Sequence, residues 1–171
     1  MSKNIVVCTD GSSRGNPGPG GWAVILMSQS GNRVREYGGY ASMTTNNKME
    51  LTAAIEALDK IKDKDADVII HSDSAYVING ITSWIFGWEK NGWRTSDKKP
   101  VLNNDLWKKL AILTRSHKGK VNWVKVKGHA GVEFNERADK ICTAFADKIK
   151  IDLFDGEYDE YIGWLSLRSL L

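Results

Sequence analysis

Short apolar runs alternate with amphipathic stretches along most of the chain, and turn-forming residues separate them. Five apolar runs have the length and the turn-bounded setting of β-strands: residues 5–9, 22–27, 34–43, 68–71 and 121–126. Residues 30–32, Ser-Gly-Asn, supply a hairpin turn between the second and third strands. The glycine- and proline-rich residues 15–21 are expected to form a turn, neither helix nor central strand.

Helical periodicity fills the remaining segments. Apolar residues at helical spacing predict helices over residues 47–61, 82–90, 104–117 and 133–149, and a short helix is also predicted over residues 75–80. Asn46 or Asn47 is expected to cap the first of these helices, with Glu50 in its first turn. The order βββ-α-β-α-α-α-β-α predicts an α/β fold, a mixed five-stranded sheet flanked by helices.

The composition is that of an ordinary globular protein. The 171 residues fit one folded domain, and a hydrophobic fraction of 42% permits a substantial core. No apolar run approaches a membrane span and the first residues show no signal-peptide pattern, so a cytoplasmic protein without membrane contact is expected. Both cysteines, Cys8 and Cys142, fall in apolar stripes, which favours buried free thiols over a disulfide.

The net charge of +3 is unevenly distributed. Residues 84–127 hold 11 Lys and Arg against 3 Asp and Glu, whereas residues 152–171 hold five acids against Arg168. A concentrated basic segment is typical of a surface that binds a polyanion. Charge alone leaves a solvated surface with no partner equally plausible.

Four acids stand where predicted elements begin or end: Asp10, Glu50, Asp73 and Asp139. Taken singly, an Asp after a strand is more often a turn or cap residue. Asp10 and Asp73, however, would end adjacent parallel strands at one edge of the sheet, where ligands bind in α/β folds. A shared site needs cations to offset the repulsion, and all-oxygen ligands favour Mg²⁺ or Mn²⁺ over zinc. Two such ions are expected, a combination that supports phosphodiester hydrolysis.

Several motifs in this order resemble ribonuclease HI, of the type 1 ribonuclease H family, from about Lys3 to Ile149. They are Thr9-Asp10-Gly11-Ser12, the turn at residues 15–21, Thr44-Thr45-Asn46-Asn47-Lys48-Met49-Glu50-Leu51, Ser72-Asp73-Ser74, Gly92-Trp93-Arg94-Thr95, Lys98-Lys99-Pro100-Val101 and Val126-Lys127-Gly128-His129-Ala130-Gly131. As a set they are highly specific. The resemblance implies a ribonuclease H domain over residues 1–150, with residues 151–171 as an acidic, aromatic-rich tail of unknown role.

The resemblance also implies an activity. The family hydrolyses the RNA strand of RNA/DNA hybrids, leaves 5′-phosphate and 3′-hydroxyl ends, and is largely indifferent to base sequence. Carried over, the four acids would be the catalytic metal ligands for two Mg²⁺ ions, with Mn²⁺ as a substitute. His129 would assist proton transfer or product departure.

Substrate contacts follow from the same resemblance. RNA is distinguished by 2′-hydroxyls in a wide minor groove, which small polar groups can reach. The positions that match the family's contacts are Gly11, Ser12, Asn16, Asn46 and Asn47 for the minor groove, Thr45 and Asn103 for DNA phosphate, and Trp93, Lys98 and Lys99 in the basic segment, the family's "handle". The handle's apolar stripe (Ile81, Trp84, Ile85 and Trp88) is expected to be core in preference to a base-stacking platform.

Three departures from the family pattern are expected to alter hybrid affinity without loss of activity. Met43 stands at a usual arginine, Ala75 replaces a polar residue, and Glu89 adds a negative charge to the handle. The tail is expected to fold back or self-associate, and a monomer without a dedicated protein partner is predicted. Two other functions stay open: a non-catalytic hybrid-binding module, and a DNA nuclease such as a resolvase or integrase on the same fold.

Overall fold

A computed structural model describes residues 4–28, 30–127 and 133–168. Its centre is a mixed sheet whose strands lie in the order β5-β4-β1-β2-β3-β6. The strands are β1 (Asn4–Ser13), β2 (Gly18–Ser28), β3 (Arg33–Thr44), β4 (Asp67–Ser72), β5 (Val121–Lys125) and β6 (Asp155–Glu157). The first three pair antiparallel, whereas β4 lies parallel to both β1 and β5. This arrangement confirms the predicted fold class and all five predicted strands.

Helices cover both faces of the sheet. They are α1 (Asn46–Lys60), α2 (Ala75–Asn79), α3 (Ile85–Lys90), α4 (Asn104–Ser116), α5 (Glu133–Ala146) and α6 (Tyr158–Arg168). One core cluster joins β1, β2 and β4 to α1 and α4, with Trp107 fully buried in it. A second cluster lies on the other face, where α5 and α6 pack against β1, β2 and β3. The predicted apolar stripe of α1 is buried throughout.

Strands β1 and β2 extend further than their apolar runs indicate. The turn predicted over residues 15–21 is wrong in part, since β2 already begins at Gly18. Glycine suits this strand because a Cβ at Gly21 would meet the backbone carbonyl of Cys142 on α5. The lack of a side chain at Gly21 thus lets α5 pack directly on β2.

Helix boundaries differ at two functionally relevant ends. The predicted caps of α1 are wrong, because Thr45 is the cap and accepts a hydrogen bond from Lys48 N at 3.3 Å. With the helix starting at Asn46, Glu50 lies in its second turn instead of its first. Helix α5 ends at Ala146, so Ile149 lies outside it and is 62% exposed.

The two helices predicted over residues 75–80 and 82–90 form one continuous helical segment. A π-helical turn at Gly80–Trp84 joins α2 to α3. Gly80 allows this path, because a Cβ there would meet the indole ring of Trp107. The stripe is core as predicted at Ile81 and Ile85, whereas Trp84 is partly exposed and packs its ring against Trp88 at 5.8 Å.

Residues 151–168 fold back on the rest of the chain. Fold-back was one of the two outcomes predicted for the tail, and self-association was the other. It contributes the unpredicted sixth strand, β6, which pairs antiparallel with the edge of β3 through Val34 and Gly156. Helix α6 then buries Tyr161 and Leu165 in the second core cluster. The tail therefore protects one edge of the sheet and extends the core.

Two further predictions concern the thiols and the membrane. Cys8 and Cys142 are both buried and free, as predicted. Burial raises the pKa of the Cys8 thiol to about 12, so it stays protonated. Among the described helices, none has the length and apolarity needed to cross a membrane.

Candidate active site

Asp10 and Asp73 meet because their strands are parallel neighbours. Strand β1 pairs with β4 through Thr9 and Ser72, and each Asp directly follows its paired residue. Both acids therefore lie side by side where the pairing of β1 with β4 ends, as predicted, although β1 itself continues to Ser13 and Asp10 does not end its strand. Asp10 is almost fully buried, and the amide N–H of Gly11 donates a 2.8 Å hydrogen bond to its carboxylate.

Glu50 reaches this edge because α1 passes unusually close to β1. A Cβ at Gly11 would overlap the backbone of Met49 and Glu50, so a side chain at this position would push the helix away. The Glu50 side chain is buried beside Asp10 in consequence. Gly11, predicted as a substrate contact, thus also has a structural role in assembling the acids.

The carboxylates form two overlapping groups that share Asp10. Oxygens of Asp10, Glu50 and Asp73 all lie within 4.8 Å of one another. Asp10 and Asp139 also lie within that distance of each other and of the Cys142 thiol. Asp10 therefore lies close to each of the other three predicted acids.

Cys142 was missed as a member of the site. It lies one helical turn after Asp139 on α5, so helical spacing could have indicated that the two share a face. Its thiol donates to the carbonyl oxygen of Asp139 at 3.3 Å. Burial, together with the nearby charges of Asp10 and Asp139, raises the pKa of this thiol.

Crowding shifts the acids strongly toward their protonated forms. Burial, followed by the charge of Asp73, raises the pKa of Asp10 from 3.8 to about 7. Burial and then the charges of Asp10 and Asp73 raise the pKa of Glu50 well above its usual value. The site thus favours protons, or cations that can replace them.

The donor set fits a divalent cation. Glu50 Oε2 is buried and has no hydrogen-bond partner in the described part of the chain. A buried carboxylate oxygen without a partner is costly unless a ligand completes it. Because Asp10, Glu50 and Asp73 offer only oxygen, hard cations such as Mg²⁺ or Mn²⁺ suit them better than zinc.

A polar loop surface borders the carboxylates. The side-chain oxygen of Asn16 accepts a 3.2 Å hydrogen bond from the backbone N–H of Asn46, which joins the loop after β1 to the start of α1. The side chains of Asn16, Asn46 and Asn47 are exposed, with Ser12 and Thr45 partly exposed nearby in the chain. Of the predicted minor-groove contacts, Ser12, Asn16, Asn46 and Asn47 are therefore accessible, whereas Gly11 is buried.

The predicted handle residues lie on the segment between α3 and α4. Trp93 is half-buried, with its ring 6.4 Å from Trp88, and Lys98 and Lys99 are exposed. Asn103 adopts a left-handed conformation before α4 and donates a 3.2 Å hydrogen bond to the Tyr76 hydroxyl. The structure therefore places Asn103 at the base of the handle, close in sequence to the basic residues.

The negative charge of Glu89 is locally neutralised. Its two carboxylate oxygens each accept a 2.7 Å hydrogen bond from the guanidinium of Arg115 on α4. This ion pair lowers the pKa of Glu89, chiefly through the hydrogen bond. Arg115 was not anticipated as its partner, because the two residues belong to separate elements.

His129 lies outside the described residues, as do all of residues 128–132. Its predicted role in proton transfer or product departure therefore stays a prediction.

Similarity to known proteins agrees with this geometry. The sequence model of the RNase H family matches residues 2–147. The chain belongs to the ribonuclease H family. Enzymes of this family are hydrolases with endoribonuclease activity, and the family is metal-dependent.

Individual ribonucleases H are similar over most of the chain. The enzyme of Novosphingobium aromaticivorans is 50% identical over 141 residues, which is 82% of this chain and 95% of that protein. The enzyme of Maricaulis maris is 54% identical over 138 residues, or 81% of this chain and 90% of that protein.

Solved structures of ribonucleases H share the fold. LC9-RNase H1, a type 1 RNase H with the type 2 active-site motif, has a TM-score of 0.77 at 29% identity over 94% of this chain and 81% of its own. LC11-RNase H1, solved in complex with an RNA/DNA hybrid, has a TM-score of 0.64 at 30% identity, with coverage of 84% and 97%.

Proposed function

We propose that this ribonuclease H hydrolyses the RNA strand of RNA/DNA hybrids as a Mg²⁺-dependent endonuclease, with Mn²⁺ as a substitute. The observation that carries the proposal is the convergence of Asp10, Glu50, Asp73 and Asp139 at one edge of the sheet. LC11-RNase H1, which has the same fold, binds such a hybrid. Family membership supports the reaction class.

The four acids would hold two divalent cations, and Asp10 belongs to both groups of neighbouring donor atoms. Bound there, the cations would activate a water and stabilise the leaving oxygen, so that cleavage leaves 5′-phosphate and 3′-hydroxyl ends. Glu50 holds its carboxylate in place through burial beside Asp10. His129 is the proposed group for proton transfer or product departure.

Selection of a hybrid would rest on the surface that borders the acids. Gly11, Ser12, Asn16, Asn46 and Asn47 are the proposed contacts to the minor groove, where the 2′-hydroxyls lie. Thr45 and Asn103 would hold DNA phosphates, and Trp93, Lys98 and Lys99 would contact the hybrid from the handle. Because such contacts go mostly to backbone and sugar, cleavage should depend little on base sequence.

The surrounding context supports a self-contained enzyme. We propose that residues 1–150 form the catalytic domain and that the chain acts as a monomer, since the tail covers its own sheet edge. Two free, buried cysteines suit a reducing compartment, which favours the cytoplasm.

The test is cleavage of a labelled RNA/DNA hybrid, single-stranded RNA and duplex DNA, each with Mg²⁺ and with a chelator. We expect only the hybrid to be cut, only with the metal, and only in the RNA strand. Asp10→Asn should reduce the rate by at least about 100-fold, because it removes the ligand common to both groups. Asp59→Asn, an exposed acid near the far end of α1, is the matched control and should retain activity.

Three results would contradict the proposal. Cleavage by Asp10→Asn at the rate of the unchanged protein would show that the acids are not needed for the reaction. Tight hybrid binding without turnover in either Mg²⁺ or Mn²⁺ would indicate a binding module. Preferred cleavage of duplex DNA would indicate a DNA nuclease on the same fold.

A further inference from the structure

The carboxylate of Glu36, near the start of β3, accepts four hydrogen bonds. Two come from the guanidinium of Arg137 on α5, each at 2.8 Å. The other two come from the tail, one from the Tyr161 hydroxyl at 2.8 Å and one from the backbone N–H of Phe154 at 3.0 Å. Half of the donors to this buried acid therefore belong to the segment after residue 150.

Arg137 is enclosed by the same segment. Its side chain is 7% exposed and that of Glu36 is 0% exposed, so the ion pair lies in the interior. The guanidinium also donates to the backbone carbonyl of Asp152 at 2.6 Å and lies 4.6 Å from the centre of the Trp164 ring. The tail thus completes the hydrogen bonding of Arg137 and shields it from water.

These contacts lie on the N-terminal turns of α5, directly before Asp139. Phe134, in the first turn of α5, stacks on Tyr161 with ring centres 5.8 Å apart and planes 10° from parallel. Arg137 follows one turn later and precedes Asp139 by two residues. The tail therefore fixes the N-terminal turns of the helix that presents Asp139 to Asp10.

We infer that residues 151–168 are a positioning element for the active site, which acts through Arg137 to set the place of Asp139. Arg137, Tyr161 and Trp164 are positioning residues, because in the described part of the chain their hydrogen bonds and ring contacts join Glu36, α5 and the tail to one another and not to the carboxylates of Asp10, Glu50 or Asp73. The inference rests on the proposed function, in which Asp139 is a metal ligand.

The proposed effect on Asp139 rests on the rigidity of the planar, buried guanidinium of Arg137. A guanidinium bound in two places to one carboxylate and covered by an indole has few alternative positions. A lysine ammonium keeps the charge but not the fork, so helix α5 would gain freedom at this turn. Loss of order in a ligand's support lowers metal affinity even where the ligand itself is unchanged.

The experiment compares full-length Arg137→Lys and Tyr161→Phe with the unchanged protein in two titrations with Mg²⁺: the rise in Tm without substrate, and the rate of hybrid cleavage. The Mg²⁺ concentration at half of the maximal rise in Tm should increase by the same factor as that for cleavage. We expect the Mg²⁺ concentration for half-maximal rate to rise about tenfold in Arg137→Lys and about threefold in Tyr161→Phe. The KM for hybrid should change by less than about twofold, because the proposed substrate contacts lie elsewhere.

Two controls separate positioning from general stability. Tyr158→Phe removes a hydroxyl from the same helix. The ring of Tyr158 also contacts Phe134, but the hydroxyl that donates to Glu36 is that of Tyr161. Leu110→Ala opens a cavity in the core of the opposite face of the sheet. At a temperature well below the unfolding transition of each variant, both should keep the Mg²⁺ dependence of the unchanged protein.

Failure of the positioning role can be distinguished from failure of the proposed function. Hybrid cleavage by the unchanged protein and its loss in Asp10→Asn test the function itself. If that test succeeds and both tail-contact variants, once shown to be folded, keep the original Mg²⁺ dependence, the tail has no positioning role. An equal shift in Leu110→Ala would likewise overturn the inference, because it would trace the effect to stability.

Discussion

Asp10 and Glu50 hold carboxylate oxygens within 4.8 Å of each other although they belong to different elements. Strand β1 carries the first and helix α1 the second, and Gly11 lets the two backbones come together. Without a cation, this proximity favours protonation of both acids. Ionisation of these acids at neutral pH therefore destabilises the folded protein, and binding of a cation offsets that cost.

We expect the stability of the metal-free protein to fall as pH rises. Asp10 has a folded pKa of about 7 against 3.8 for the ordinary group, so its protonated form stabilises the fold at low pH. This contribution is complete below about pH 4 and is lost as pH rises through about 7. Mg²⁺ should restore the lost stability, so the rise in Tm on adding Mg²⁺ should be larger at about pH 8 than at about pH 5.

Asp10→Asn provides the control for this pH dependence. It removes the titrating group, so the metal-free variant should lose part of the fall in Tm between the two pH values. A Mg²⁺-induced rise in Tm that is the same at both pH values in the unchanged protein would contradict the prediction.

Two glycines in the continuous helical segment predict opposite effects of alanine. Gly87→Ala meets no neighbouring atom and should stabilise the protein by about 0.5–1 kcal/mol, because alanine favours helix. Gly80→Ala should destabilise it by about 1–3 kcal/mol, because the new methyl overlaps the buried ring of Trp107. Urea unfolding measures both values. Equal effects of the two substitutions would show that packing against Trp107 does not constrain this helix.

The buried Arg137–Glu36 pair and the exposed Arg115–Glu89 pair should differ greatly in their effect on stability. Arg137→Met leaves Glu36 as a buried, uncompensated charge and should cost about 3–5 kcal/mol. Arg115→Met removes an exposed partner of Glu89 and should cost less than about 1 kcal/mol. The free energy of unfolding in denaturant compares them, and similar costs would argue against burial as the deciding factor.

Lysines of the handle should determine the salt dependence of hybrid binding. Each of Lys98→Ala and Lys99→Ala is expected to weaken binding and to reduce the slope of log affinity against log salt by about 1. Lys62→Ala, an exposed lysine that follows the end of α1 distant from Glu50, is the control and should leave the slope unchanged. Binding is measured with a chelator present, so that cleavage does not interfere. An unchanged slope in both handle variants would place the phosphate contacts elsewhere.

Sequence reasoning succeeded where local pattern and chain direction decide the outcome. The parallel pairing of β1 and β4 follows from the crossover helix α1, so the meeting of Asp10 and Asp73 could be predicted. The place of Asp139 could not, because it depends on how closely α5 packs on β2 at Gly21. Cys142 was missed for the same reason, and the cap at Thr45 was missed because several neighbouring residues can cap a helix.

The tail shows most clearly where the sequence stops being informative. Its aromatic content indicated that it would pack somewhere, but Glu36 and Arg137 are ordinary surface residues by type. Only the folded chain brings them together with Tyr161 in the interior. Pairings between distant segments depend on the summed packing of the whole core, which no local pattern encodes.

The sequence by itself determined the fold class and the family and singled out the four acids as candidates, because hydrophobic period and motif spacing are local properties of the chain. The tertiary structure decided that Asp10 is common to two groups of ligands, and that residues 151–168 hold the helix bearing Asp139. Those relationships arise from close backbone approach and from burial of charge. Both are properties of the assembled core, where a separation of a few ångströms sets the electrostatic energy.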